Sequence, residues 1–327
     1  MMRIVLCYPA RTRHVEQIVR TAPDAEIIDA GQKRVAREIL NADIFFGHAK
    51  VSMPWDEVMA QGRLRWIQST AAGLDHCLTP SVVGSDILVT SASGVLADQV
   101  AEHAIALITG LMRNMPVFFR AQQSREFVRR TTRDLHGSTV GIVGLGGIGR
   151  RLAELLSGFR VRILATDWCP VDRPSHVVSL WPPSQLDDLL RESDVVVLCA
   201  PLNKRTRGMI DRRALEKMRP GSFFVNVARG GLVVQDDLLA ALESGHLAGA
   251  ALDVVEPEPL PSESSLWDLP NVIITPHLAG QSGRRADQMT DFLCDNLGRY
   301  LSDTPLRNLV DKDLGFPLRT GLPAHNE

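Results

Sequence analysis

Short apolar, β-rich runs alternate with helix-like polar stretches from the first residues onward. Residues 3–7, 44–46, 66–69 and 87–90 each read as a strand. This alternation over residues 1 to about 92 predicts a small α/β unit. The period then changes. Val100, Ala101, Ala104, Ile105, Ile108, Leu111 and Met112 recur at three- and four-residue steps, which predicts one helix over 95–112 with a broad apolar face, a packed connector between two lobes. From Ser138 onward the pattern becomes strictly βαβ, with strands expected at 139–143, 161–166, 194–199, 222–227, 250–254 and 272–275. Such regular alternation implies right-handed crossovers and a parallel, doubly wound sheet with helices on both faces. An amphipathic helix is expected over about 283–301, followed by a tail with Pro and Gly that folds back on the first lobe.

A chain of 327 residues is long enough for two domains, each with its own core. The 36 Lys+Arg against 38 Asp+Glu leave a net charge of -2, so there is no general field to attract polyanions and nucleic acid is not an expected partner. Cys7, Cys77, Cys169, Cys199 and Cys294 are scattered, odd in number and free of any CxxC pairing. Reduced, mostly buried thiols are expected rather than a disulfide framework or a metal site. The apolar N-terminal run stops at Arg11, too early for a secretory signal, and the most apolar long stretch, 101–112, falls short of a membrane span. The expectation is a cytoplasmic protein with no membrane partner.

Gly144-Leu145-Gly146-Gly147-Ile148-Gly149 is a GxGxxG string that leaves the strand TVGIV and opens the helical stretch RRLAELL. There the glycines allow a tight turn, close approach of a pyrophosphate and tight packing of helix on strand, with the helix amides facing the phosphate. Alone the string is weak, since a glycine-rich turn often serves geometry only. Asp167, closing the next strand, strengthens it as an acceptor for adenosine ribose hydroxyls; the alternative is a simple turn residue. The following Trp168-Cys169-Pro170 brings no arginine for a 2′-phosphate, which favours NAD over NADP. Arg150 and Arg151 reach either phosphate oxygens or solvent.

In an open parallel sheet, ligands sit beyond the carboxyl ends of the strands. Three such ends are chemically loaded: FFVNVAR ends at Arg229, AALDVVEPEP carries Asp253 and Glu258, and NVIITPH ends at His277. Taken singly, Arg229 reads as a surface ion pair, Glu258 as an exposed loop acid and His277 as a strand end. Together, an arginine, a carboxylate and an imidazole in one crevice can polarise a carbonyl, tune a proton donor and deliver the proton.

With these residues in view, the chain resembles the D-isomer-specific 2-hydroxyacid dehydrogenases from about Leu64 to Gly280. GIVGLGGIG is similar to the family's cofactor loop, LNKRTRGMI to its PLTxxTxxLI segment and NVARGGLVVQDDLLAAL to its arginine-bearing motif. ALDVVEPEPLPSESSLWDLPNVIITPHLAG is similar to the stretch with its glutamate and histidine. The resemblance implies two Rossmann-like lobes. A smaller, discontinuous substrate lobe would comprise 1–94 and a return segment 281–327, and the dinucleotide-binding domain would cover 95–280. It implies that Arg229 binds the substrate's carboxylate and carbonyl, that His277 is the acid/base, and that Glu258 holds the imidazole protonated. Gly144, Gly146, Gly147, Ile148, Gly149, Asp167, Cys199, Pro201 and Asp253 would hold the cofactor, Asp253 at the nicotinamide carboxamide. Amides of Ala72 and Gly73, in the stretch Ala71 to Asp75, would hold the substrate carboxylate.

The sequence departs from the family pattern locally. Cys199 stands where a His often precedes Pro-Leu, His76 replaces a common Asn, and Ala71 replaces a frequent Gly. His48 and Lys50 fall in a first-lobe loop, either in the pocket wall or on the surface. The expected activity is NAD-dependent hydride transfer between nicotinamide and a small D-2-hydroxy acid or 2-oxo acid, of the hydroxypyruvate or glyoxylate kind. A 3-phosphoglycerate dehydrogenase and a non-enzymatic NAD(H) sensor resembling the C-terminal-binding-protein corepressors are the alternatives. The connector helix, with more apolar face than one lobe needs, suggests a homodimer.

Overall fold

A computed structural model describes residues 1–169 and 172–317. Pro170, noted above beside Asp167, and the end of the tail lie outside the described residues. The chain divides into two compact units, one formed by Met1–Leu96 with the chain from Ser282 onward, the other by Ala97–Gln281.

Unit 1 holds five parallel strands, β1 (Arg3–Cys7), β2 (Glu26–Asp29), β3 (Ile44–Gly47), β4 (Trp66–Ser69) and β5 (Leu88–Thr90), in the order β2-β1-β3-β4-β5. Its helices are α1 (Thr12–Thr21), α2 (Gly31–Glu38), α3 (Trp55–Gln61), α4 (Pro80–Val83) and, from the far end of the chain, α11 (Arg285–Leu301). Alternate strand residues serve opposite faces. Ile4, Leu6, Ile44, Phe46 and Trp66 pack with Ile18 of α1 and Met289, Leu293 and Leu297 of α11, while Val5, Phe45 and Ile67 pack with Val35 and Val58. Trp66, fully buried, stacks on Tyr300 at 5.3 Å and donates to Thr90 Oγ1 at 2.7 Å. Thus the amphipathic period of the last long helix is satisfied by the first sheet.

Unit 2 opens with α5 (Ala97–Met112) and α6 (Met115–Gln123). Seven parallel strands follow: β6 (Thr139–Val143), β7 (Arg162–Thr166), β8 (Ser179–Trp181), β9 (Val195–Leu198), β10 (Ser222–Asn226), β11 (Leu247–Leu252) and β12 (Val272–Ile274). Between them lie α7 (Gly147–Ser157), α8 (Leu186–Glu192), α9 (Arg212–Lys217) and α10 (Gln235–Glu243). The order β12-β11-β10-β9-β6-β7-β8 is the doubly wound arrangement, reversing between β6 and β9. Helices cover both faces, which is why strands such as VVVL read as unbroken apolar runs. A two-residue hairpin, β13 (Val310–Asp311) with β14 (Phe316–Pro317), completes the described chain.

Two details differ from the sequence reading, and the packing of α5 adds a third observation. The edge strands β2 and β8 are too short and too polar to announce themselves. β11 lies earlier than expected, at Leu247–Leu252, so that Asp253 and Val254 fall beyond the sheet. The apolar face of α5 is consumed within its own unit: Val100, Ala101, Ala104, Leu107, Ile108, Leu111 and Met112 are buried against β6, α7 and neighbouring strands. Ala106 on the same helix stays exposed. Among the described residues no helix is long and apolar enough to cross a membrane.

Candidate active site

At the carboxyl end of β6 the chain turns through Gly144 and Leu145 into α7, whose N-cap is Gly146. A side chain at Gly149 would place its Cβ 2.1 Å from Gly144 O, so only glycine lets the helix approach the strand end this closely. A Cβ at Gly146, in contrast, would meet nothing within 4 Å, so the second glycine leaves open space before the amides of Gly147 and Ile148. That arrangement fits a dinucleotide's pyrophosphate, with the first-turn amides as donors. Cys199 and Pro201 follow β9, the strand beside β6: Cys199 N donates to Val143 O at 2.8 Å, and Pro201 O accepts from Thr206 Oγ1 at 2.7 Å.

Asp167 closes β7 and is folded toward the same loop. Its Oδ2 accepts from Leu145 N at 2.6 Å and its Oδ1 from Cys169 N at 2.9 Å. Each carboxylate oxygen retains further acceptor capacity, so ribose hydroxyls can still donate to it. The arginine that the neighbouring sequence lacks arrives from elsewhere: the Arg205 guanidinium lies 4.7 Å from the centre of the Trp168 ring. An Asx turn fixes its backbone, with Arg205 N donating to Asn203 Oδ1 at 2.9 Å. Arg150 pairs with Asp172 at 3.2 Å, and Arg151 with Asp98 at 2.6 Å.

The carboxyl ends of β10, β11 and β12 are adjacent because these strands are neighbours in the sheet. Asn226, buried at the end of β10, accepts from Ala228 N at 3.0 Å and donates to Arg229 O at 2.9 Å, which sets the turn that presents Arg229. Gly230 lies directly on the next loop: a Cβ there would sit 2.0 Å from Val255 O. Backbone therefore packs on backbone between the Arg229 turn and the segment leading to Glu258. His277 takes a left-handed conformation, φ +51°. Its Nδ1 lies 2.9 Å from Glu258 Oε2, and since the carboxylate accepts, Nδ1–H donates and Nε2 is left for exchange with a reactant.

Asp253 stands just beyond the end of β11. It is 1% exposed, and its carboxylate accepts from the Thr275 hydroxyl at 2.6 Å, Leu278 N at 2.9 Å and Ala279 N at 3.0 Å. It organises the turn that carries His277.

In unit 1 the loop after β4 is pinned by Ser69, whose Oγ accepts from Ala71 N at 3.0 Å; Ala72 is exposed and Gly73 half-buried. His76 Nε2 lies 3.4 Å from the same oxygen, and its ring stacks on His48 with centroids 4.0 Å apart. Gln32 grips the His48 loop from both sides, donating to His48 O at 2.9 Å and accepting from Lys50 N at 2.7 Å. The substitution of His76 for an asparagine thus belongs with His48 in a single feature, which sequence spacing does not reveal.

Among the described residues no group of three or more His, Cys, Asp and Glu is placed to hold a metal ion.

A doubly wound sheet with an open glycine loop at its switch point, and a His–Glu pair beside an arginine at neighbouring strand ends, defines a dinucleotide-dependent dehydrogenase. Residues 105–279 match the NAD binding domain of the D-isomer specific 2-hydroxyacid dehydrogenases. A glyoxylate reductase of Thermofilum pendens is 35% identical over 268 residues, 79% of this chain and 78% of that protein. Another, from Pyrococcus horikoshii, is 33% identical over 300 residues, 86% of this chain and 88% of that one. The solved structure of a D-isomer specific 2-hydroxyacid dehydrogenase from Xanthobacter autotrophicus Py2, in complex with NADPH and MES, has a TM-score of 0.82 at 27% identity and covers 96% of this chain and 99% of its own. The chain belongs to the D-isomer-specific 2-hydroxyacid dehydrogenase family, and it is an oxidoreductase that uses a nicotinamide dinucleotide.

Proposed function

We propose that the enzyme reduces small 2-oxo acids of the glyoxylate and hydroxypyruvate kind to the D-2-hydroxy acids, with NADH as the preferred reductant and His277 as the proton donor. The observation that carries this reading is the 2.9 Å contact from His277 Nδ1 to Glu258, which leaves Nε2 for the substrate oxygen. A bound dihydronicotinamide supplies the hydride. Arg229 binds the carboxylate and draws charge from the 2-oxo group, and protonated His277 gives its Nε2 proton to the developing alkoxide. Glu258 accepts from the ring's Nδ1–H and fixes the orientation of the imidazole. In unit 1, the exposed Ala72 and its neighbour Gly73 offer amides for the substrate carboxylate.

Following NADH absorbance with a panel of 2-oxo acids tests this reading. Turnover on glyoxylate or hydroxypyruvate is expected, and no reduction of any member would overturn it. The same assay compares cofactors. NADH should give the higher kcat/KM because Asp167 repels a 2′-phosphate; Asp167→Ala narrows the gap, and Arg205→Ala widens it by removing the nearby cation. Equal values for NADH and NADPH in the parent enzyme would refute the preference.

The reading includes a cytoplasmic address, supported by five free thiols, and a homodimer. The support for a dimer lies after α5. No residue of α6 is buried, and Phe119 and Phe127 are 56% and 98% exposed. Arg120 ties α6 to the carbonyl of Leu269 at 2.9 Å, near the half-exposed Trp267. A second copy covering these aromatics would remove a large apolar area from water. Light scattering should give twice the chain mass of 36.0 kDa, and Phe127→Asp should lower it; 36.0 kDa for the parent at micromolar concentration would count against the dimer.

A further inference from the structure

One histidine of unit 2 touches the active-site scaffold without a part in the chemistry above. His103 lies in α5, on a helix whose other inward residues are apolar. Its side chain is 18% exposed, and Nε2 lies 3.0 Å from Thr275 Oγ1 and 3.5 Å from Asp253 Oδ1.

The direction of these contacts follows from counting protons. The Asp253 carboxylate receives backbone N–H groups on both oxygens, so it acts as an acceptor. Thr275 has one hydroxyl proton, and its 2.6 Å contact with Asp253 Oδ1 uses it. The Thr275 oxygen can then only accept from His103, whose Nε2 must carry a hydrogen. A directed chain results, from His103 Nε2–H to Thr275 Oγ1–H to the Asp253 carboxylate. Asp253 in turn holds the His277 turn at three points. Its carbonyl accepts from His277 N at 2.8 Å, and its carboxylate accepts from the amides of Leu278 and Ala279. A non-glycine residue in the left-handed region stays there when its surroundings impose it. Those surroundings are the Asp253 hydrogen bonds, and the far end of their support is His103.

We propose that His103 is a positioning residue for the proton donor: through Thr275 it fixes the buried Asp253 carboxylate, and through Asp253 it holds the left-handed turn that aims His277. The proposal rests on the reading of His277 as proton donor. His103 itself never meets the substrate. Removing its donor hydrogen frees Thr275 to rotate, loosens Asp253 and lets the His277 ring wander from Glu258. Misplacement of a reacting group by about 1 Å can cost about 100-fold in rate, so a partial loosening should cost about tenfold or more.

The test is a mutant cycle in the full-length enzyme. His103→Leu is expected to lower kcat about tenfold or more, with KM for the 2-oxo acid and the Kd for NADH, measured by fluorescence titration, within about twofold. His103→Gln, whose amide can donate to Thr275, should recover most of that loss. The pair His103→Leu with His277→Gln should be no slower than His277→Gln alone, because the support has nothing left to aim. Normal kcat in His103→Leu, failure of the glutamine to rescue, or a loss that multiplies with that of His277→Gln would each overturn the proposal. If His277→Gln itself keeps normal turnover, the proton-donor reading falls and takes this proposal with it. A normal His103→Leu beside a crippled His277→Gln overturns the positioning role alone.

Discussion

Replacing His277 by Gln should cut kcat by about 100-fold or more while NADH still binds. The glutamine amide can keep a hydrogen bond to Glu258 but has no proton to transfer at neutral pH. The loss therefore falls on the chemical step. Glu258→Gln should behave differently, because it leaves the imidazole in place and removes the carboxylate 2.9 Å from Nδ1. Reduction requires a ring held in place, and without the charged acceptor it is held less firmly. The kcat of Glu258→Gln should therefore fall, but by less than in His277→Gln. Near-normal turnover in His277→Gln would sink the assignment of the proton donor.

The second large effect is expected at Gly149. An alanine Cβ would stand 2.1 Å from Gly144 O and 3.2 Å from Ile142 Cγ2. Neither a backbone carbonyl nor a core side chain can retreat far, so α7 must move away from β6. Overpacking of this kind costs about 1–3 kcal/mol of stability. The functional cost is larger, since the displaced helix start carries the amides offered to the pyrophosphate. Gly149→Ala should show a lower Tm and at least about a tenfold weaker NADH Kd in fluorescence titration. An unchanged Kd would show that the loop does not need this close approach.

How much of this was legible in the sequence varied with the residues concerned. Long β-branched runs such as RIVLC and TVGIV gave their strands to the residue, because both faces of each sheet are covered and no polar position interrupts them. The edge strands Glu26–Asp29 and Ser179–Trp181 were hidden, since a short edge needs few apolar side chains. β11 was displaced in the reading because LAGAAL is built of small residues, whereas Val254 and Val255 look strand-like but belong to the loop leaving the sheet. Arg229, Glu258 and His277 stood out as polar ends of apolar runs. That Glu258 and His277 meet, across 19 residues of chain, came from the family resemblance and not from spacing. His103 left only a faint mark, one imidazole in a helix whose inward face is apolar. The stacking of Arg205 on Trp168 left none, because nothing in either segment points to the other.

The cysteines have a consequence for the chemistry of the reactants. Small 2-oxo acids and aldehydes are electrophiles, and a thiolate adds to such carbonyls readily. Burial pushes the thiol of Cys7 up to about 11 and those of Cys77 and Cys199 to about 12. The nucleophilic form of a thiol is its anion, so at neutral pH these three carry almost none of it. Cys199 follows β9, the strand beside the one that leads into the glycine loop. Held as a neutral thiol, it offers such carbonyl compounds little nucleophilic sulfur at neutral pH.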